Sequence, residues 1–451
     1  MAKQFWFFPL IFALSLFLFY PSLNYYFFQD DWFVLNWVKT GDFLSFFKFR
    51  VDTIYWRPLS MPLFFWIGKS IFGLNPIGYH LISFTIHFLN ILLLGYISYL
   101  IFKDKKASLV SALLYATASF HFMTLSWLSL TWNAIGFFFF QTSLIFYLIN
   151  RNNRSLVSHF GFTASFLLSL ASNEFAVVFP FWVIILEIMS TERSKEKIFN
   201  TFKTLAPIFS IIFAYLFVRT IIFSVPTKGE YELVLDFRIF KNLFWYGLWF
   251  FNLPEELKNQ IVLSNLQVTQ NFLNAAKNFL PIILFAFIVN LFLFVFMIFK
   301  TLNKKTISLL FAASIFFTIA LLPVLFFTQH SFPYYLTVPS ESIFIFIGFV
   351  VSNYSHQYKS IRSTIFISAF IITWLVSSYT TLSLTKKIHW VTAEENLSRK
   401  SVNFARNKNP TLPAHLIIEI PNSNRQIIQS LMDQNAFQVI YNNDEVKTIY
   451  K

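Results

Sequence analysis

Seven residues of this chain have the types and spacing to do chemistry: the adjacent acids Asp30-Asp31, Arg57 ahead of Pro58, His80 and His87, Glu174 in Ser172-Asn173-Glu174, and Arg219. A carboxylate can take the proton of a hydroxyl nucleophile. A guanidinium can hold a phosphate through two parallel N–H bonds. His80 and His87, seven apart, share one helical face. Such a set suits a transfer in which a hydroxyl displaces a phosphate-linked group.

The elements that must position these groups are membrane spans. Of 451 residues 56% are hydrophobic, 21% aromatic and only 12% charged, the composition of an integral membrane protein. Apolar stretches at 5–27, 76–102, 107–124, 129–149, 155–172, 174–190, 204–224, 279–299, 306–328, 337–353 and 361–384 predict about eleven crossings in an all-α polytopic fold. Cations recur in alternate connections: Lys3, then Lys103, Lys105 and Lys106, Arg151 and Arg154, Arg193, Lys195, Lys197 and Lys203, Lys300, Lys304 and Lys305, and Lys359 with Arg362. The short connections 125–130, 172–174 and 329–336 carry no Lys or Arg. The amino terminus is therefore expected inside, and Asp30-Asp31 outside. Tyr20-Pro21-Ser22 offers no small-residue cleavage site, so the first segment is expected to stay as an anchor.

Residues 1–384 are expected to form the transmembrane catalytic unit, with outer loops at 28–75 and 225–278. In the first loop, Trp32–Val38, Phe43–Phe49 and Pro58–Phe72 suit helices lying flat in the interface. Residues 385–451 predict a small extracytoplasmic α/β appendage: a helix through Trp390–Asn407, a strand at His415–Ile420, a helix near Arg425–Gln434 and a strand at Phe437–Tyr441. The net charge of +14 is dispersed and makes no nucleic-acid-binding stripe, and the absence of cysteine excludes disulfides and thiolate chemistry. No repeat of twenty to fifty residues is visible.

In a lipid setting, this carboxylate-and-guanidinium set predicts transfer of a sugar from a polyprenyl phosphate. Tyr55-Trp56-Arg57-Pro58-Leu59, following the acidic pair, and Tyr79-His80-Leu81 leading to His87 resemble motifs of the GT-C glycosyltransferase superfamily. They are most similar to those of the tetratricopeptide-bearing O-mannosyltransferase-like proteins and their bacterial relatives. The resemblance is strongest over 28–91 and extends weakly through Asn173-Glu174, Leu322-Pro323 and Tyr334–Pro339. Relatives often carry Lys-Glu where this chain has Asn173-Glu174, and the chain lacks a tetratricopeptide array. The resemblance implies an inverting transferase on the outer face of the cell membrane. Its partners would be a polyprenyl-phosphate-linked sugar, a hydroxyl acceptor and membrane lipid. Asp30 or Asp31 would be the base, with Arg57, His80, His87, Glu174 and Arg219 at the donor.

Each residue also has a plainer assignment. Asp30-Asp31 could cap the Trp32 helix. Arg57-Pro58 could start a helix and snorkel, and Arg219 could reach the headgroups. His80 and His87 could bond between helices, and Glu174 could complement a helix dipole. Glu187 and Glu341 read as structural. Two carboxylates can hold a divalent ion, but no third acid converges on them in sequence, so no metal or other cofactor is required. The competing class is a transporter or lipid flippase. Scarce glycine, 10 residues, and ionisable groups gathered at outer ends argue against it.

Overall fold

The computed structural model describes residues 7–50, 53–153, 155–189, 195–223, 229–262, 267–412, 416–421 and 423–451. Lys3, Arg154, Arg193 and His415 lie outside the described residues. The chain runs α1 (Phe7–Phe19), α2 (Asp30–Thr40), α3 (Phe64–Phe72), α4 (Pro76–Phe102), α5 (Lys105–Ala116), α6 (His121–Ser126), α7 (Thr131–Asn153), α8 (Leu156–Leu170), α9 (Phe179–Ile188) and α10 (Lys195–Ile222). It continues with α11 (Arg238–Phe250), α12 (Leu257–Gln260), a two-residue hairpin pair β1 (Ile261–Val262) and β2 (Gln267–Val268), α13 (Gln270–Ala276), α14 (Leu280–Lys300), α15 (Lys304–Leu325), α16 (Ser340–Gln357) and α17 (Ile361–Ile388). The C-terminal part is α18 (Trp390–Lys408), β3 (Ile417–Ile420), α19 (Arg425–Ser430), α20 (Asn435–Ile440) and β4 (Lys447–Tyr450).

Helix starts follow local chemistry. The Asn75 side chain caps α4 with Pro76 at its first position. Asp104 accepts from the N–H groups of Lys106 and Ala107 at 2.8 and 3.0 Å to open α5. Among the described residues, seven helical segments are long and apolar enough to cross a membrane: Phe7–Asn24 (α1 with the turn after it), Leu128–Arg151 (the turn before α7 with most of α7), and segments within α4, α10, α14, α15 and α17. The other expected crossings are shorter, broken or more polar helices. Residues 107–124 split between α5 and α6, and 155–172 gives the 15-residue α8. Residues 174–190 give one tight turn and the 10-residue α9, and α16 is polar at both ends.

Two expectations are corrected. Phe437–Tyr441 is not a strand: Asn435–Ile440 is helix α20, whose Ala436, Phe437 and Val439 are buried as it packs on α2. The partner of β3 is instead β4, in parallel register from Ile417–Lys447 to Ile420–Tyr450. Nor does α2 offer one open aromatic face, because Trp32, Val34 and Leu35 are all fully buried. The C-terminal part grips it. Trp32 Nε1 donates to Ser398 Oγ at 3.0 Å, Asn36 Nδ2 to Asn435 Oδ1 at 2.8 Å, and Lys39 Nζ pairs with Asp444 at 2.5 Å.

Candidate functional site

A cavity of about 1040 Å³ collects residues from both kinds of element. One part of its wall comes from apolar side chains on membrane helices, Phe181 of α9, Leu216 of α10, and Ile319 and Leu322 of α15. The rest mixes aliphatic, aromatic and polar side chains and includes Asp30, Arg57, Glu174 and Arg219. The structure thus brings four of the seven sequence-selected residues to one space. Asp31, His80 and His87 do not line it.

Asp30 opens α2 directly after a strained turn. Gln29 has φ 47 and ψ −124, a region that costs a non-glycine residue on the order of 1–3 kcal/mol. The turn is held by the C-terminal part: the Gln29 N–H donates to Ser430 O at 2.9 Å, and its side chain bonds Glu394. Asp30 lines the cavity and is partly covered, and the burial around its carboxyl pushes it up to about 6, opposed by the charge of Arg57. It therefore sits where a general base operates near neutral pH.

The next residue has the opposite surroundings. Asp31 is fully buried, its Oδ1 accepting from Ser129 N and Oγ at 2.7 and 2.6 Å and its Oδ2 from Phe28 N at 3.3 Å. Burial drives its carboxyl up to about 8 against those bonds and with the charge of Asp30. Asp31 is an internal strut joining α2 to the Ser129 turn.

Arg57 and Glu174 meet because two backbone segments are tied. Leu59 N donates to Ala171 O at 3.3 Å and Ser60 Oγ to Ser172 O at 2.6 Å, which lays a π-type turn at Leu59–Leu63 beside the turn of Glu174. Arg57 then donates from Nε to Glu174 Oε2 at 2.8 Å and from Nη2 to Oε1 at 2.5 Å. Its guanidinium carbon lies 3.6 Å from the Trp132 ring centroid and 4.6 Å from that of Tyr55. One edge of the fork, Nε with Nη2, is thus occupied by Glu174, which does not engage Nη1. Arg219, at the end of α10, donates more loosely, from Nη1 to Tyr215 Oη at 3.3 Å and from Nη2 to Ile54 O at 3.4 Å.

The histidines are internal. His80 is wholly buried with Nδ1 3.0 Å from Leu125 O and Nε2 3.1 Å from Tyr25 O. His87 has Nε2 3.2 Å from Ser15 Oγ and its ring 4.6 Å from that of His121. Both fit the interhelical bonding that a lipid environment favours.

Several cavity residues escaped the sequence reading. His330 lines the wall with Nδ1 3.4 Å from Glu230 Oε2 and its ring 4.1 Å from that of Tyr231. Glu255 faces His389 Nε2 at 3.2 Å. Burial pulls that imidazole down, but the facing Glu255 carboxylate outweighs it and the net shift is upward. Trp127 and Trp390 complete the aromatic wall. No motif links these residues; only the fold brings them to one cavity. Among the described residues, no group of three or more His, Asp or Glu side chains is spaced to hold a metal ion.

No protein-family model matches the chain, and no curated protein matches it significantly in sequence. Solved structures share its fold. ArnT from Cupriavidus metallidurans in the apo state aligns over 100% of this chain and 86% of its own, with TM-score 0.53 and 10% identity. The same protein bound to undecaprenyl phosphate gives TM-score 0.51 at 11% identity over 100% and 90%. The archaeal oligosaccharyltransferase AglB from Archaeoglobus fulgidus, in complex with an inhibitory peptide and a dolichol-phosphate, gives TM-score 0.50 at 15% identity. The alignment covers 91% of this chain and 58% of AglB, so the chain spans well under two thirds of that protein's length. The fold is similar to that of the GT-C membrane glycosyltransferases.

Proposed function

We propose that the chain is an inverting glycosyltransferase of the GT-C type, moving a sugar from a polyprenyl phosphate to a hydroxyl acceptor at the outer face of the cell membrane. The observation that carries this reading is the shared cavity. Asp30 faces it together with Arg57, Glu174 and Arg219, and its wall continues onto apolar side chains of α9, α10 and α15 where an isoprenoid chain can lie. The lipids held by the similar solved structures, undecaprenyl phosphate and dolichol-phosphate, are of the matching chemistry. The finer kinship to the O-mannosyltransferase-like proteins rests on Tyr55–Leu59 and Tyr79–His87. The loss of a cation at Asn173 departs from that pattern: its Oδ1 accepts from Phe175 N at 2.9 Å and caps the Glu174 turn.

In the mechanism, the acceptor O–H gives its proton to an Asp30 carboxylate oxygen as its oxygen attacks the anomeric carbon. The bond from that carbon to the phosphate oxygen breaks, and polyprenyl phosphate leaves with the electron pair. Arg219 and the remaining edge of Arg57 meet the charge that develops there. One displacement inverts the anomeric centre. The test is transfer by purified protein in detergent, with wild type and Asp30→Asn side by side. Transfer that vanishes in the variant supports the reading. Undiminished transfer removes Asp30, and activity seen only across a sealed membrane with a gradient favours transport.

A further inference from the structure

We infer that the part of the cavity built by loops and the C-terminal segment is a binding subsite for a neutral carbohydrate, with Trp127 and Trp390 as its platform. The inference takes from the transferase reading only that this ligand is the acceptor. At about 1040 Å³ the cavity lies just above the ~300–1,000 Å³ range of small-molecule sites, room for a second ligand beside a donor headgroup.

The wall chemistry selects the ligand. Among the lining residues away from the membrane helices are Gln29, Glu255, Asn259 and Gln429, three amides and a carboxylate, together with the two indoles. Amides both donate and accept, and carboxylates accept, which matches a ligand dense in hydroxyls. The two rings meet edge to face at 5.3 Å and 87°, and Trp127 stacks on Phe28 at 5.3 Å, so the platform is rigid.

Trp390 is fixed by its neighbour. Val391 N donates to His389 Nδ1 at 3.2 Å, which leaves Nε2 as the protonated nitrogen facing Glu255. One histidine therefore bonds the carboxylate and packs against the adjoining indole, their ring centroids 5.5 Å apart. The cavity lining holds four carboxylates, Asp30, Glu174, Glu230 and Glu255, against two guanidiniums, Arg57 and Arg219, so its balance toward an anionic acceptor is acidic. Like charge opposes that ligand.

Saturation-transfer difference NMR on the detergent-solubilised full chain tests this with four probes: mannotriose, chitotriose, the anionic sialyllactose and a Ser/Thr-rich peptide. Saturable signal is expected from a neutral trisaccharide. Trp390→Ala should weaken it about tenfold, and Trp390→Phe should recover part of the loss. If Trp390→Ala fails to fold, Gln429→Ala should still weaken binding severalfold. No saturable binding of either neutral sugar, binding indifferent to Trp390 and Gln429, or preference for sialyllactose or peptide overturns the subsite. Donor consumption, measured separately, keeps the two readings apart. Trisaccharide binding without donor cleavage sinks the transferase and leaves the subsite, and cleavage without trisaccharide binding does the reverse.

Discussion

Removing the Glu174 carboxylate should destabilise the protein and at the same time tighten its hold on a lipid phosphate. Glu174 occupies Nε and Nη2 of Arg57 at 2.8 and 2.5 Å, with side-chain exposures of 9% for Arg57 and 21% for Glu174. Two unit charges about 4 Å apart at an effective dielectric near 20 attract by about 4 kcal/mol. Deleting one partner of such a buried pair costs about 3–5 kcal/mol, because the other charge is left uncompensated. Contact of Glu174 with the cavity, and the nearby Asp30 charge, place Glu174→Gln at the lower end, about 3 kcal/mol. Arg57→Ala should cost at least as much, since it also loses the Trp132 and Tyr55 stacks. The double variant should cost less than the sum of the two singles by about 2 kcal/mol, the coupling expected of residues in direct contact.

The functional effect runs the other way. With a single amide oxygen left to accept from Arg57, one guanidinium N–H donor is released toward phosphate, and a charge-assisted hydrogen bond contributes about 1.5–3 kcal/mol, so the inhibition constant of undecaprenyl phosphate should fall about tenfold or more. Equilibrium unfolding in mixed micelles gives the coupling, and competition against a labelled polyprenyl phosphate gives the inhibition constant. Coupling under about 0.5 kcal/mol would refute the energetic pair. An unchanged inhibition constant in a destabilised Glu174→Gln would refute Arg57 as a phosphate contact and leave it a purely structural residue.

Three further outcomes follow from the same coordinates. Asp30→Asn should lower kcat by about 10²–10⁴, and because the wild-type carboxyl is pushed up to about 6, kcat/KM should climb as pH rises through about 6 rather than through 4; a limb near 4 would contradict the burial. The sign for folding is opposite: the raised value means that Asp30 stabilises the fold at low pH, and that contribution is lost as pH rises through about 6. Asp31→Ala should cost on the order of 3 kcal/mol by orphaning the N–H groups of Ser129 and Phe28, with donor affinity per folded molecule unchanged; a selective loss of donor binding would show that Asp31 touches substrate. Gly348→Ala places a Cβ 2.2 Å from Ser111 Oγ and 2.5 Å from the Ala107 carbonyl, so α16 must move from α5 at a cost of about 1–3 kcal/mol; an unshifted unfolding transition would mean those helices are loosely packed.

What could be read in advance divides along sequence distance. Lipid context, helical class and the gathering of Asp30, Arg57, Glu174 and Arg219 were legible because hydropathy and short motifs are local. The Arg57–Glu174 pairing spans 117 positions and depends on backbone bonds from Leu59 and Ser60 to Ala171 and Ser172, which no motif encodes. His330 sits in 329–336, a connection read for its lack of Lys and Arg and for the Tyr334–Pro339 likeness, and neither reading weighs an imidazole. The C-terminal strands misled for another reason. Phe437–Tyr441 is apolar enough for a strand, but α20 buries Ala436, Phe437 and Val439 through contact with α2, and tertiary packing overrides a short run.

Asp30 and Asp31 make the same point within a single dipeptide. A helix turns by about 100° per residue, so neighbouring side chains must face different surroundings. One meets the cavity and Arg57, the other Ser129 and Phe28. Which of the two looks outward is decided by the phase of α2, and that phase is set by the left-handed turn at Gln29, pinned to Ser430 four hundred residues away along the chain. Identical carboxylates thus become a base candidate and a strut, and the C-terminal segment belongs to the machinery that separates them.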